Sequence, residues 1–192
     1  EIVFELSGED DFFDFTLDGS FWNQNQVFDD LLSDVREDIG QYYQTIDPET
    51  GKKEEIQYTF QSQRVPCLTC SEEVNLYKNY KLGAHKSTSP AAVYCPNQDC
   101  SDRVISLDRE INDTETCPNC GTTFDPNDGN YGRGKYTCSN GHKHDVMETL
   151  QRLDERPTFD YYAIKFKTSE GDEKFKSLSD SDYEVIQKAE EK

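Results

Sequence analysis

Seven cysteines and one histidine fall in four short pairs along the middle of this chain: Cys67 with Cys70, Cys95 with Cys100, Cys117 with Cys120, and Cys138 with His142. A C-x2-C segment reverses over about four residues and turns two thiolates towards one point, and a tetrahedral metal ion takes four such donors. The inventory matches two zinc ions. With every coordination position taken by protein, neither metal keeps a place for water or substrate, so the pattern points to structural rather than catalytic zinc. Thiolate sites of this geometry also accept iron.

The spacing reads C-x2-C, 24 residues, C-x4-C, then C-x2-C, 17 residues, C-x3-H. Each half resembles a zinc ribbon made of two knuckles. The expected pairing is sequential, with Cys67, Cys70, Cys95 and Cys100 on one metal and Cys117, Cys120, Cys138 and His142 on the other. A crossed pairing of Cys67 and Cys70 with Cys117 and Cys120 uses the same inventory. Competing uses of the cysteines fit less well. A disulfide framework wants an even count and a secretory leader, and neither is present in these residues. A redox C-x-x-C wants one pair in a βαβ setting. Pro66-Cys67-Leu68-Thr69-Cys70 matches half of the zinc deaminase signature, but no upstream histidine supplies the H-x-E half.

The net charge of -19 is unevenly placed. Residues 1–56 hold 16 acids against 3 bases, residues 57–144 hold 10 against 9, and residues 145–192 hold 13 against 8. Within the nearly neutral middle, two stretches carry no acid. Leu76 to Gln98 holds Lys78, Lys81 and Lys86 among Tyr77, Tyr80, His85 and Tyr94, and Gly129 to His144 holds Arg133, Lys135 and Lys143 beside Tyr131 and Tyr136. Bases among aromatics suit phosphate contact and base stacking, which makes Lys78, Tyr80, Lys81, Lys86, Arg133, Lys135 and Lys143 the candidate nucleic-acid contacts. A second reading stays open. Four thiolates around Zn²⁺ carry -2 and three with a histidine carry -1, and nearby Lys and Arg would neutralise that charge. The acidity elsewhere also suits a salt-adapted surface with no ligand behind it.

Along the chain, Glu1 to Leu6 and Phe12 to Leu17 read as a hairpin about Ser7-Gly8-Glu9-Asp10. Val27, Phe28, Leu31, Leu32, Val35 and Ile39 recur at helical spacing and predict an amphipathic helix from Gln26 to Tyr42, ending near Gly40, its stripe facing a core. Glu55 to Val65 predicts a strand into the first knuckle, and Ser101 to Thr116 a strand and a turn. Val146 to Leu153 predicts a short helix. Tyr161 to Lys167 and Lys174 to Leu178 predict a hairpin, and Ser181-Asp182-Tyr183-Glu184 a capping box. The expected architecture is α+β: two zinc ribbons of small antiparallel strands, flanked by β-hairpins and short helices. Its expected parts are an acidic segment at 1–56, ribbons at 57–110 and 111–150, and a hairpin with a helix at 151–192. An apolar fraction of 33% is too low for one large dry core, so metal is expected to carry much of the stability.

No apolar run is long enough to span a membrane, and the absence of a leader sets the expectation of a cytoplasmic protein. The chain begins at Glu1 directly in a strand-like run, which suggests an excerpt or processed product of something longer. There is no G-x-x-x-x-G-K-[ST] loop, G-x-S-x-G elbow or H-E-x-x-H, and no catalytic residue is assigned. His144 is an alternative ligand to His142, and His85 an exposed contact.

The order of parts resembles the zinc-ribbon region of large adenine-specific DNA methylases. The segments that carry the likeness are Asp34-Val35-Arg36-Glu37-Asp38-Ile39-Gly40-Gln41-Tyr42-Tyr43, the knuckles, Cys117-Pro118-Asn119-Cys120-Gly121 and Tyr161-Tyr162-Ala163-Ile164. The resemblance covers residues 26–192 and implies an accessory module that touches DNA or packs against a catalytic methylase domain or subunit. The S-adenosylmethionine motif and the Asp/Asn-Pro-Pro-Tyr/Trp motif of such methylases are absent, so that cofactor belongs only to a catalytic domain outside these residues. The expected function is therefore a two-zinc, non-catalytic DNA-binding or DNA-positioning domain. The alternatives are a zinc-stabilised protein-interaction scaffold and an acidic mimic of nucleic acid.

Overall fold

The computed structural model describes residues 13–15, 21–153 and 156–190. The chain divides into two compact units, Glu1–Tyr43 and Gln44–Lys192. In the first, β1 (Phe13–Phe15) pairs antiparallel with β2 (Phe21–Asn23), Phe15 opposite Phe21. The strand expected at Glu1 to Leu6 lies outside the described residues. Helix α1 (Gln24–Ile39) follows and tightens into a 3₁₀ turn at Gly40–Tyr43, close to the predicted end. From Leu31 onward its stripe is not core. Leu31 is 56% exposed and Val35 41%, with Leu32 and Ile39 similarly open. Periodicity identifies an amphipathic helix but not what covers its apolar side.

The second unit is built on one long strand. After β3 (Gln44–Ile46), β4 (Lys53–Pro66) runs 14 residues, then come β5 (Glu73–Asn75), β6 (Lys81–Gly83), β7 (Ala91–Tyr94), β8 (Val104–Leu107), β9 (Glu115–Thr116), β10 (Thr123–Phe124), β11 (Tyr131–Gly132), β12 (Lys135–Thr137) and β13 (Lys143–Asp145). Helix α2 (Val146–Gln151), β14 (Thr158–Lys167), β15 (Glu173–Lys176) and α3 (Asp180–Glu190) complete it. The largest sheet has the order β15-β14-β4-β3, with β5 also on β4, and β6-β7-β8, β11-β12-β13 and β9-β10 form three smaller sheets. All described pairings are antiparallel. The fold is α+β, mostly short antiparallel strands with few helices.

The C-terminal hairpin is not a separate part. β14 pairs with β4 from Thr158 opposite Arg64 to Lys167 opposite Glu55, so residues 158–167 and 53–66 share one sheet. The helix cap is also shifted from Ser181 to Ser179. The Ser179 hydroxyl and amide both donate to Asp182 Oδ2, at 2.6 and 2.8 Å, and the Asp182 amide lies 3.4 Å from Ser179 Oγ. A short acid three residues after a serine closes the same reciprocal box.

Among the described residues most buried apolar side chains gather in three small clusters. One joins Tyr77, Leu82, Ala92, Tyr94, Ala163 and Phe175. The second gathers Val65, Val74, Tyr136 and Val146 around Cys67 and Cys138. The third gathers Val93, Ile105 and Phe124 around Cys95, Cys100 and Cys117. Lys176 and Asp182 are buried as a pair: Lys176 Nζ lies 2.7 Å from Asp182 Oδ2, and Asp182 Oδ1 accepts from the Thr45 hydroxyl at 2.6 Å. Arg109 forks onto buried Glu115 through two contacts of 2.8 Å.

Candidate metal centres

All eight expected ligands come together in two groups of four, each with its donor atoms within 4.8 Å of one another. The grouping is neither the sequential nor the crossed one. Cys67, Cys70, Cys138 and His142 form an outer centre, and Cys95, Cys100, Cys117 and Cys120 an inner one. The pairing is nested, so boundaries drawn at 57–110 and 111–150 each cut through both centres.

Local chain geometry makes the knuckles. The Cys67 amide donates to Glu72 O at 2.7 Å and the Ser71 amide back to Cys67 O at 2.9 Å, with Ser71 at φ +58°. The same pair recurs at Cys117, with Thr122 O and Gly121 (φ +74°), and at Cys138, with His142 O and Gly141 (φ +81°). The left-handed residue turns the strand back under its first cysteine, a conformation that suits glycine and strains serine. The fourth knuckle is looser: the Cys95 amide reaches Arg103 O at 2.7 Å, across the longer x4 loop.

Long-range packing makes the centres. β4 delivers Cys67 and β12 delivers Cys138, and Tyr136 fastens the two by donating its hydroxyl to Pro66 O at 2.6 Å. At the inner centre, Asn119 Nδ2 donates to Asp102 O at 2.7 Å and Asn97 Nδ2 to Thr122 Oγ1 at 3.3 Å, tying one knuckle to the other. Metal–sulfur bonds of about 2.3 Å imply tetrahedral edges of about 3.8 Å. The observed edges agree: Cys70 to Cys138 3.9 Å, Cys95 to Cys120 3.6 Å, Cys100 to Cys117 3.7 Å, and His142 Nδ1 to the Cys138 and Cys67 sulfurs 3.4 and 3.8 Å. Both groups could hold a metal ion.

The thiols are graded by their surroundings. Burial and the neighbouring sulfurs push Cys95 up to about 12 against the pull of the Asn97 amide, and burial raises Cys100 and Cys138. The Thr122 hydroxyl and amide bring exposed Cys120 down to about 6. The Glu72 amide and Asn140 lower Cys70. At Cys67 burial works upward, but the amides of Cys70 and Thr69 outweigh it. Asn140, Thr122 and Asn97 thus support the ligands from positions that cysteine spacing does not mark. His144 sits with Nε2 3.2 Å from Cys67 Sγ, outside the group of four, as a hydrogen-bond partner of that sulfur.

Of the candidate nucleic-acid contacts, Lys78, Lys81, Lys86, Arg133, Lys135 and Lys143 are all exposed, and none forms an ion pair among the described residues. Tyr80 differs. Its ring packs edge-on against Phe124 and beside Tyr77, with centroids 6.0 and 5.6 Å away, and burial raises its hydroxyl pKa, so it serves packing. The two acid-free stretches meet: the Tyr131 amide donates to Tyr77 O at 3.1 Å, and Asn130 bridges the Tyr77 amide and Asn75 O. No described helix is long and apolar enough to cross a membrane. No protein-family model, curated protein or solved structure matches the chain.

Proposed function

We propose that this chain is a non-catalytic module held by two structural zinc ions, and that it contacts DNA as an accessory part of an adenine-specific DNA methyltransferase. The observation that carries the zinc reading is the closure of both centres: four protein donors at tetrahedral spacing leave no position for substrate. Histidine with three thiolates, and four thiolates, are ligand sets of structural zinc in ribbon-like knuckles. The DNA part is supported by the exposed bases that form no ion pair among the described residues. In register, Lys135 stands opposite Asp145 and Lys143 opposite Thr137, which puts both lysines on one face of the β11-β12-β13 sheet, beside the turn that carries Arg133. The methylase part rests on the sequence resemblance.

Metal content by mass spectrometry, followed by duplex DNA titration at two salt concentrations, tests this reading. Two zinc ions per chain, with binding that weakens steeply with salt and falls in Lys135→Glu and Lys81→Glu, are expected. Salt-insensitive binding, or none, would favour the second reading, a zinc-stabilised interaction scaffold. That reading draws on the net charge of -19, which repels a polyanion wherever it is not segregated.

A further inference from the structure

The sequence holds a single Asn-Gly pair, Asn140-Gly141, and the fold places it inside the Cys138–His142 knuckle of the outer centre. The pair is chemically distinct. Glycine has no side chain to keep its backbone nitrogen away from the carboxamide of the residue before it, so an exposed asparagine ahead of glycine is prone to lose its amide. Asn140 and Gly141 are both exposed.

Two sets of contacts tie this pair to the metal site. Cys70 Sγ and Glu72 Oε2 lie 4.0 Å apart, and Asn140 Nδ2 stands 3.5 Å from each. With Cys70 as a metal-bound thiolate both neighbours are negative, and the carboxamide donates to them. Gly141, at φ +81°, donates its own amide to Cys138 O at 2.9 Å. The nitrogen that would attack Asn140 is therefore held by the turn that forms the knuckle.

We infer that Asn140-Gly141 is a site of spontaneous deamidation gated by the outer metal, an inference that rests on the zinc reading of that centre. While the knuckle is closed on metal, the Gly141 nitrogen stays bonded to Cys138 O. Metal loss opens the knuckle, and the freed nitrogen reaches the Asn140 side chain. The Gly141 N–H gives up its proton, the nitrogen bonds to Asn140 Cγ, and Nδ2 leaves as ammonia, which yields a cyclic succinimide. Water then adds to either succinimide carbonyl and the C–N bond opens, leaving aspartate or isoaspartate at position 140. Water is consumed, ammonia is released and no oxidation state changes. The product disables the site that gated it: a carboxylate replaces the donor between Cys70 and Glu72, and partners that hydrogen-bond metal ligands set affinity as well as orientation. An emptied and deamidated outer centre thus rebinds metal weakly. The inner centre is spared, because Asn97 and Asn119 precede Gln98 and Cys120, whose side chains shield the nitrogen that follows each amide.

The test incubates the full chain, loaded with zinc and its metal counted, beside the same chain stripped by a chelator, both at physiological temperature and pH. Trypsin cuts after Lys135 and Lys143, and mass spectrometry follows the peptide 136–143, in which Asn140 is the sole side-chain amide. The metal count decides the zinc reading by itself, and the deamidation rates decide this one. Conversion of amide to acid is expected about tenfold or more faster in the stripped chain than in the loaded chain. Asn140→Gln, whose longer side chain closes a ring far more slowly, should keep its mass when stripped. Asn140→Asp should bind cobalt at the mixed sulfur–nitrogen centre about tenfold or more weakly than the parent, while the all-sulfur centre fills as before. Equal rates in the stripped and loaded chains would overturn the proposal. So would an unchanged peptide mass in the stripped parent, the same conversion in Asn140→Gln, or parent-like cobalt affinity in Asn140→Asp.

Discussion

The sulfurs of Cys70 and Cys138 lie 3.9 Å apart although 68 positions separate them in the chain. The contact closes a loop that contains the whole inner centre, so a metal held at the outer group would staple the ends of a segment whose middle a metal at the inner group would staple.

Nesting makes a spectroscopic prediction. In the cobalt-substituted protein the outer centre has three sulfur ligands and one nitrogen, and the inner one has four sulfurs, because only the outer contains His142. Cys67→Ser should remove the bands of the mixed sulfur–nitrogen centre and leave those of the all-sulfur centre, and Cys117→Ser should do the reverse. Under sequential pairing Cys67 would belong to the all-sulfur centre, so loss of the all-sulfur bands in Cys67→Ser would refute nesting.

Metal removal should unfold the middle of the second unit, since each centre sits inside an apolar cluster. Structural zinc contributes about 10 to 16 kcal/mol in small fingers, more than such clusters supply. Protons oppose metal wherever a thiol's pKa lies above the working pH. In the metal-free fold Cys95 at about 12 and raised Cys100 are protonated at neutral pH, whereas Cys120 at about 6 is largely ionised. Binding at the inner centre therefore releases at least the protons of Cys95 and Cys100, and its affinity should rise by about 100-fold or more per pH unit near neutrality. Chelator competition at two pH values would show this; a flat response would contradict it.

Ser71 occupies the knuckle position that Gly121 fills in its counterpart, at φ +58° against +74°. A left-handed serine costs roughly 1 kcal/mol that glycine does not. Ser71→Gly is expected to stabilise the protein by about 0.5 to 1 kcal/mol, the higher entropy of the unfolded glycine chain offsetting part of the gain. Denaturant unfolding of the zinc-loaded form would measure it, and destabilisation would show that Ser71 is not strained.

Gly129 packs against the chain at Tyr77, and a Cβ placed there would lie 2.0 Å from Tyr77 O and 2.7 Å from Lys78 C. The obstacle is backbone, which cannot rotate aside. Gly129→Ala should cost about 1 to 3 kcal/mol and separate the two acid-free stretches, weakening DNA binding as well. An unchanged melting temperature would mean that the two stretches part freely.

Asp182 is buried, and although burial raises its pKa, hydrogen bonds from Lys176, Ser179 and Thr45 outweigh that and hold it below the ordinary 3.8. A depressed carboxylate contributes stability above its unfolded pKa and loses it as the pH falls through the folded value. The contribution should thus be complete at neutral pH and fade only below about pH 3.8. Asp182→Asn leaves Lys176 buried without its counter-charge and should cost about 3 kcal/mol at pH 7. Unfolding at pH 7 and pH 3 compares the two; an equal penalty at both would locate the effect in packing instead.

Cysteine spacing, turn chemistry and strand alternation are local, and they sufficed for the eight ligands, the knuckles, β4, α2 and the β14-β15 hairpin. Ser179 was missed as the cap because Ser181-Asp182-Tyr183-Glu184 offers the same serine-acid spacing two residues later, and only the Lys176 and Thr45 partners of Asp182 select between them. The α1 stripe showed its period but not its exposure. Tyr80 looked like an open stacking ring because its neighbour Phe124 lies 44 positions away.

What the sequence determined by itself is which side chains could hold metal: a C-x2-C turn presents two donors whatever surrounds it, and eight donors suffice for two four-ligand groups. Which pairs share a shell was decided by tertiary structure. β4 and β12 converge through Tyr136 and the Pro66 carbonyl, and the two inner knuckles meet through Asn97 and Asn119. Those contacts span tens of residues, and spacing along a chain carries no record of which strands a sheet will bring side by side.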